Sequence, residues 1–256
     1  MISRLHSTTR FSNRVKDYVK YRPHYPPEVL EFLISELGLT KGSAIADVGS
    51  GTGISSELFV ENGNHVYGIE PNKKMREAAE RLFKRHKNFV SVKATAEDTT
   101  LRDRNIDFVV AGQSFHWFDL QKTKAEFKRI LRPYGSVVLI WNDRRTASSD
   151  FLRGYETLLN RYGTDYEEIK HISIGIRDLD QFFGKANYHL KIFKNSQFFD
   201  FDGLRGRLLS SSYVPAEGHP NYVPMINDLK ELYDTYEENG LVLFEYDTKL
   251  YYGLLK

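Results

Sequence analysis

A glycine-rich turn lies between a strand and a helix in the first quarter of the chain, where its backbone could hold a ligand. The segment DVGSGTG spans residues 47–53; it follows the apolar run Ala44–Val48 and precedes a helix predicted over residues 54–61. Glycine lets the backbone turn sharply and lets a ligand approach without a side-chain clash. In an open α/β sheet, such a ligand lies in the crevice beyond the carboxyl ends of the strands.

An acidic residue, Glu70, ends the next predicted strand, His65–Ile69. A carboxylate at this place can accept two hydrogen bonds from a ribose diol. The turn and the strand-end acid together predict a cofactor that contains a nucleoside. The alternative is an ordinary tight turn with a surface glutamate.

The spacing of the glycines differs from that of a dinucleotide site. The dinucleotide pattern is G-x-G-x-x-G, with a pyrophosphate at the helix N-terminus. Here the third glycine comes one residue early, and Ile54 stands where that pattern requires glycine. Asp47 precedes the first glycine by two residues, where a carboxylate would repel a pyrophosphate but attract the ammonium group of a methionine moiety.

The DVGSGTG turn resembles the first motif of class I S-adenosylmethionine-dependent methyltransferases. The chain is similar to small-molecule members, including trans-aconitate methyltransferase-like proteins, over residues 40–145. YRPHYP at residues 21–26 and YYGLL at residues 251–255 extend the likeness to both ends. The resemblance implies an enzyme that binds S-adenosylmethionine and transfers its methyl group by in-line displacement to a small-molecule acceptor.

The resemblance also implies a set of cofactor contacts. Glu70 matches the acid that binds the ribose, Pro71 and Met75 match residues that flank the adenine ring, and Ala96 with Glu97 matches the pair near the adenine amino group. Asp98 adjoins Glu97, so the choice between the two acids is open. The full set is Tyr21, Arg22, Asp47, Gly49, Ser50, Gly51, Gly53, Glu70, Pro71, Met75, Ala96, Glu97, Gln113 and Ser114.

The string FHWFD follows the fourth predicted strand and supplies candidates for the acceptor side. His116 is a candidate catalytic base, since histidine titrates near neutral pH, or a packing residue. Phe115, His116 and Trp117 are expected to line the substrate pocket, together with Phe118. Aromatic faces stabilise a positive sulfonium. Core packing is the alternative for these rings.

Two residues before the first predicted helix, Tyr21 and Arg22, are expected to fold over the cofactor. Arg22 suits a carboxylate, either that of the methionine end or that of an acidic acceptor. A surface arginine is the alternative interpretation.

Composition excludes several other classes of function. The formal net charge of +2 gives no strong attraction to nucleic acid, so neither a nucleic acid nor a membrane is expected as a partner. The chain has no cysteine, so it has no zinc-thiolate site and no thiol nucleophile, and no spacing of His, Asp and Glu indicates a metal site. No apolar run is long enough to cross a membrane, and a soluble cytoplasmic protein is expected.

The order of helix and strand signals predicts an α/β fold. We expect a Rossmann-like, doubly wound, mostly parallel seven-stranded sheet with an antiparallel C-terminal strand and a helical cap insertion. The chain is interpreted as one methyltransferase domain, residues 1–256. Its core spans about 26–143, its helical cap about 144–186 and its closing strands about 190–256.

Two other functions remain open from the sequence. A non-catalytic or regulatory methyltransferase-like protein would keep the same cofactor contacts without turnover. An NAD-dependent oxidoreductase is disfavoured by the glycine spacing. The sequence does not indicate the acceptor or the oligomeric state.

Overall fold

The structure, a computed structural model, describes residues 19–166 and 175–255 of the 256-residue chain. These residues form a seven-stranded sheet with the order β3-β2-β1-β4-β5-β7-β6. The strands are β1 Ala44–Val48, β2 His65–Ile69, β3 Phe89–Val92, β4 Ile106–Gly112, β5 Leu131–Arg144, β6 Tyr188–Phe199 and β7 Val242–Gly253. The helices are α1 Glu28–Leu37, α2 Ile54–Asn62, α3 Lys73–Leu82, α4 Leu120–Ile130, α5 Asp150–Tyr162, α6 Ile176–Phe183, α7 Phe201–Leu209 and α8 Tyr222–Tyr236.

The first five strands are parallel, and β7 runs antiparallel between β5 and β6. This arrangement confirms the predicted fold, including its antiparallel C-terminal strand. Because the parallel strands all point the same way, their carboxyl ends meet at one edge, where the chain order reverses between β1 and β4.

Helices cover both faces of the sheet, as the apolar strands require. Successive residues of β4 alternate: Val109 packs in the core under α4 and α6, whereas Phe108 and Val110 pack in the core under α1 and α2. A third apolar cluster joins α5, α7 and α8 to the start of β7, beside the main sheet. The part of the chain that the structure describes contains no helix with the length and hydropathy of a membrane span.

The region expected to form one helical cap divides between two of these clusters. Helix α5 packs with α7 and α8, whereas Phe182 and Phe183 of α6 pack on the main sheet. Residues 167–174, between them, lie outside the described residues.

A helix and a strand illustrate how tertiary contacts change element length: the local sequence predicts a helix from Lys73 to about Lys87 and a strand over Val137–Trp141. Helix α3, expected to reach about residue 87, ends at Leu82, because the ring of Phe83 turns inward against Phe89 and Asn88 hydrogen-bonds the carbonyls of Val60 and Asn64. Strand β5, expected over residues 137–141, extends to Arg144, since β7 pairs with it from Val137 to Arg144. A pairing partner so distant in sequence gives no local signal.

Candidate functional site

A cavity of about 1140 Å³ opens at the carboxyl ends of the parallel strands. The loops after β1, β2, β3, β4 and β5 supply most of its wall. Of the predicted site residues, those that line it are Arg22, Gly49, Ser50, Gly51, Glu70, Pro71, Met75, Ala96, Glu97, Gln113, Ser114, His116 and Trp117. Residues up to 95 positions apart in sequence, Arg22 and Trp117, therefore share one crevice.

The three glycines of the turn have positive φ angles and three different surroundings. A Cβ atom at Gly49 would lie 2.6 Å from Cβ of Ser114, so this glycine lets β1 and β4 end close together. At Gly51 the nearest atom would be Cε of Met75 at 3.6 Å, and Gly51 faces the cavity. Gly53 does not line the cavity; a Cβ there would lie 2.6 Å from the ring of Phe83, so this glycine serves helix packing.

Asp47 lies beneath the turn rather than in the cavity wall. Its Oδ2 accepts hydrogen bonds from the hydroxyls of Ser55 and Ser56 at 2.7 and 2.6 Å. Burial raises the pKa of the Asp47 carboxyl to about 6, and Oδ1 has no hydrogen-bond partner. The carboxylate therefore fixes the start of α2 under the turn. Asp47 does not line the cavity, where we expected it to contact a ligand ammonium.

Glu70 joins the turn to the next loop. One carboxylate oxygen accepts from the backbone N–H of Gly51 at 3.0 Å, and the other accepts from the N–H of Asn72 at 2.7 Å. The side chain is only 8% exposed, and burial raises its pKa. Each oxygen keeps a second lone pair that can face a ligand hydroxyl.

The loops after β2 and β3 form the wall next to Glu70. Pro71, Met75 and Ala96 give this wall apolar surface, as expected for residues that flank a flat ring. Glu97 lines the cavity and accepts a hydrogen bond from the N–H of Asp119 at 2.9 Å, whereas Asp98 is not part of the wall. Of the two neighbouring acids, Glu97 is the one that faces the cavity.

The loop after β4 brings unsatisfied polar atoms into the cavity. Gln113 has a φ of 54°, which is unusual for a residue with a side chain, and its buried Oε1 has no hydrogen-bond partner within residues 19–166 and 175–255. Ser114 uses its hydroxyl to hold the carbonyl of Val48 at 2.8 Å. Among the described residues, nothing pairs with Nδ1 of His116, and burial lowers the pKa of this ring to about 4.

The aromatic residues after β4 divide between the cavity and the core. Trp117 and Phe118 line the cavity, and Trp141, which the sequence did not single out, lies 5.7 Å from the His116 ring. Phe115, expected in the substrate pocket, is 1% exposed and packs edge-on against Phe182 of α6. Its position is corrected to the core, because the 3-10 helix Phe115–Trp117 turns that ring inward.

The segment before α1 forms part of the cavity wall. Arg22 lines the cavity and donates to the carbonyl of Ser210 at 3.0 Å. Tyr21 does not line it; its ring lies against Gly206 of α7. Asn142 of β5 holds the carbonyls of Pro23 and His24 at 3.3 Å, which fixes this segment to the sheet.

Sequence reasoning missed one wall of the cavity, formed by Arg144, Tyr166, Arg207 and Tyr213. Arg144 ends β5 and Arg207 lies in α7. Only Arg207 carried a usable signal: it stands three residues after Leu204 and one before Leu208, on the apolar face of its helix. The other contacts join residues that are far apart in the chain.

These features fit an adenosyl and methionine group. The cavity offers an acid held at the glycine turn, an apolar slot beside it, and buried acceptor or donor atoms at Gln113, Thr52 and His116 that lack partners. Among residues 19–166 and 175–255, no group of three His, Asp or Glu side chains could bind a metal ion.

Comparisons with known proteins agree with this geometry. Residues 46–139 match a methyltransferase domain family. The chain is 32% identical over 142 residues to an uncharacterized methyltransferase of Mycobacterium bovis, covering 56% of each chain, and 30% identical over 135 residues to one of Schizosaccharomyces pombe, covering 52% of this chain and 53% of that one. The chain thus spans a little over half the length of these curated relatives.

Solved structures share the fold at lower identity. A proposed type II methyltransferase from Anaeromyxobacter dehalogenans superposes with a TM-score of 0.69 at 21% identity, covering 92% of this chain and 98% of that one. Geranyl diphosphate methyltransferase in complex with S-adenosylmethionine gives 0.51 at 16% identity, covering 90% and 85%. Residues 46–139 therefore match a methyltransferase domain, and solved methyltransferase structures share the seven-stranded fold around it.

Proposed function

We propose that this chain binds S-adenosylmethionine in the cavity and transfers its methyl group to a small-molecule acceptor. The observation that carries the proposal is the position of Glu70: its carboxylate is buried, is anchored to the amide of Gly51, and faces a cavity in the methyltransferase domain. The bound cofactor would supply an activated methyl group on a sulfonium, so the protein contributes binding and orientation.

Each part of the wall has its own proposed role. Glu70 accepts the ribose hydroxyls, and the glycine turn at Gly49 to Gly51 lets the nucleoside approach the backbone. Pro71 and Met75 flank the adenine, while Ala96 and Glu97 lie at its polar edge. Gln113 and Ser114 lie beside the methionine end, where the free Oε1 of Gln113 can accept a hydrogen bond from an ammonium group.

The remaining walls serve the acceptor and exclude water. The cavity of about 1140 Å³ exceeds the volume that one drug-sized ligand needs, so it can hold cofactor and acceptor together. Trp117, Phe118 and Trp141 place ring faces in this space, where they can stabilise positive charge. The segment at Arg22, held by Asn142, closes one side.

His116 is proposed to orient the acceptor rather than to remove its proton. A ring whose pKa is about 4 is neutral near pH 7 and is a weak base. Its unpartnered Nδ1 can accept or donate one hydrogen bond, depending on the tautomer. An acceptor that is already nucleophilic would need no stronger base.

Calorimetry with S-adenosylhomocysteine tests the cofactor site. We expect binding by the wild-type chain and by Glu77→Gln, a control on α3 whose side chain pairs with Lys73. Glu70→Gln should bind more weakly, because an amide accepts at one atom only. Absence of binding by the folded wild-type chain would refute the proposal.

Turnover separates an enzyme from a cofactor-binding regulator. The chain is incubated with S-adenosylmethionine and a pool of metabolites, and formation of S-adenosylhomocysteine is measured. A regulator would bind S-adenosylmethionine and S-adenosylhomocysteine but would not convert the first into the second. An NAD-dependent oxidoreductase would instead be stabilised by NADH in a thermal-shift comparison of the two cofactors.

A further inference from the structure

A buried arginine, Arg207, lies in the wall of the cavity. Arg207 is 5% exposed, and its Nε and Nη1 donate to the hydroxyls of Tyr246 and Ser211, both at 3.3 Å. Within the described parts of the chain, no carboxylate lies within 4 Å of this guanidinium. A buried charge is costly unless it is paired, so an unpaired one that lines a cavity suggests a ligand of opposite charge.

A second guanidinium lies on the same wall and is only partly satisfied. Arg144 is 10% exposed; its Nη2 donates to Glu156 at 2.5 Å and to the hydroxyl of Tyr166 at 3.0 Å. Its Nη1 is buried and has no hydrogen-bond partner in the part of the chain that the structure describes. Arg144 thus has a donor left for a ligand.

Tyr213 shows that these charges converge. Burial acts to raise the pKa of its hydroxyl, but the guanidiniums of Arg207, Arg22 and Arg144, with a hydrogen bond to Ser211, lower that pKa below its usual value. Tyr213 also lines the cavity. The positive potential of these guanidiniums therefore extends to Tyr213 in the cavity wall.

Other cations in the same wall are neutralised by acidic neighbours. Arg145 lies 3.2 Å from Glu245 and 3.7 Å from Asp247, and Lys249 lies 2.6 Å from Asp143. Arg145 and Lys249 therefore add little net positive charge to the wall, whereas Arg207 has no carboxylate within 4 Å among the described residues.

The location of Arg207 separates it from the glycine turn. Its partner Tyr246 is on β7, opposite Arg144 of β5, and the sheet order places β4 and β5 between β1 and β7. Three strand spacings correspond to about 14 Å. This distance favours a ligand group other than the nucleoside.

We infer that the acceptor is an organic anion whose carboxylate or phosphate oxygens bind to Arg207 and Arg144. The inference rests on the proposed function, because it assigns the acceptor half of the same cavity. Guanidinium groups match both kinds of oxyanion in geometry.

Binding of simple anions to the chain saturated with S-adenosylhomocysteine tests the inference. Calorimetry is performed with succinate, citrate, benzoate, phenyl phosphate and pyrophosphate, and with the neutral methyl esters of the three carboxylic acids. We expect at least one anion to bind and any corresponding ester to bind at least about tenfold more weakly. The carboxylates and the phosphates are titrated separately, and the class that binds with higher affinity identifies the oxyanion.

Arg207→Met is the decisive variant. It should weaken anion binding by about tenfold or more while S-adenosylhomocysteine affinity stays within about twofold of wild type. Arg205→Met is its matched control, since Arg205 is exposed on the same helix and lies outside the cavity wall; it should behave as wild type. If Arg207→Met does not fold, Arg207→Lys and Arg144→Gln take its place, each with an expected loss of anion affinity.

Three results would overturn the inference. They are the absence of binding by every anion, unchanged anion affinity in the arginine variants, and a loss of S-adenosylhomocysteine affinity in Arg207→Met, which would assign the guanidinium to the methionine carboxylate. Failure of the proposed function looks different: S-adenosylhomocysteine would not bind at all, while the anions, titrated alone, would still distinguish Arg207→Met from wild type.

Discussion

The two ends of the cavity are built in different ways. The glycine-turn end, residues 49–51, 70–75 and 94–97, uses backbone amides and carboxylates from loops that directly follow successive strands. The arginine end, formed by Arg144, Tyr166, Arg207 and Tyr213, uses side chains from β5, α7 and loops far apart in the sequence. One end carries acceptors for hydroxyl and amino groups, and the other carries donors for anions. The difference suggests that cofactor binding depends on local chain geometry and acceptor binding on tertiary packing.

Glu70→Ala should give the largest effect at the glycine-turn end. It removes the ribose acceptor and leaves the amides of Gly51 and Asn72 without their partner. We expect S-adenosylhomocysteine affinity to fall about a hundredfold and the free energy of unfolding to fall by about 2–4 kcal/mol. Calorimetry and urea unfolding measure the two effects. Unchanged affinity would contradict the assigned cofactor site, and weaker anion binding at the arginine end would break the separation of the two ends.

Asp47→Asn should change the pH dependence of stability. Burial raises the pKa of Asp47 from 3.8 to about 6 in the folded chain, so this group favours folding below pH 4 and that contribution is lost as pH rises through 6. The unfolding free energy of wild type relative to that of Asp47→Asn should therefore fall by about 2 kcal/mol from pH 4 to pH 7. Urea unfolding at each pH measures it. A difference that does not vary with pH would show that Asp47 is not buried in this way.

Gly53→Ala and Gly51→Ala should separate folding from binding within the turn. A Cβ at Gly53 meets the ring of Phe83 at 2.6 Å, so Gly53→Ala should lower unfolding free energy by about 2 kcal/mol with little change in cofactor affinity. Gly51→Ala has space but projects into the cavity, so it should weaken S-adenosylhomocysteine binding by about tenfold and cost about 1 kcal/mol of stability. If Gly53→Ala instead weakened cofactor binding and Gly51→Ala mainly lowered stability, the roles assigned to the two glycines would be wrong.

The smallest expected effect is at His116, whose ring should not change its protonation state near neutral pH. Its pKa of about 4 predicts an NMR ring signal that does not titrate between pH 5.5 and 8, whereas the hydrogen bond to Glu57 raises the pKa of His24 above its usual value. The two signals are assigned with His116→Gln and His24→Gln. Titration of His116 near pH 7 would restore it as a candidate base.

The sequence predicted the glycine-turn end well because its signals are local. Strands β1 and β2 were predicted at their observed bounds, and the loops that follow them carry the turn and Glu70. Side-chain direction was harder to predict: Phe115 and Trp117 are two residues apart, yet only Trp117 faces the cavity. The hydrogen bonds from Ser55 and Ser56 to Asp47 had no signal in the sequence pattern, and the contact of Asp47 with a ligand ammonium stays a prediction.

The arginine end could not be predicted because its contacts are tertiary and leave no local signal in the sequence. Arg144 contacts Tyr166, 22 residues further along the chain, and Arg207 contacts Tyr246, 39 residues further along, so both contacts depend on tertiary packing. No periodicity within a single element indicates such a pairing.

A crystal structure of the wild-type chain with S-adenosylhomocysteine would show which end of the cavity holds the nucleoside. We expect ribose hydroxyl oxygens at about 2.7–3.0 Å from the Glu70 carboxylate, with the amino acid end beside Gln113 and the arginine end left for the acceptor. A nucleoside bound next to Arg207, or a ribose without contact to Glu70, would contradict this expectation.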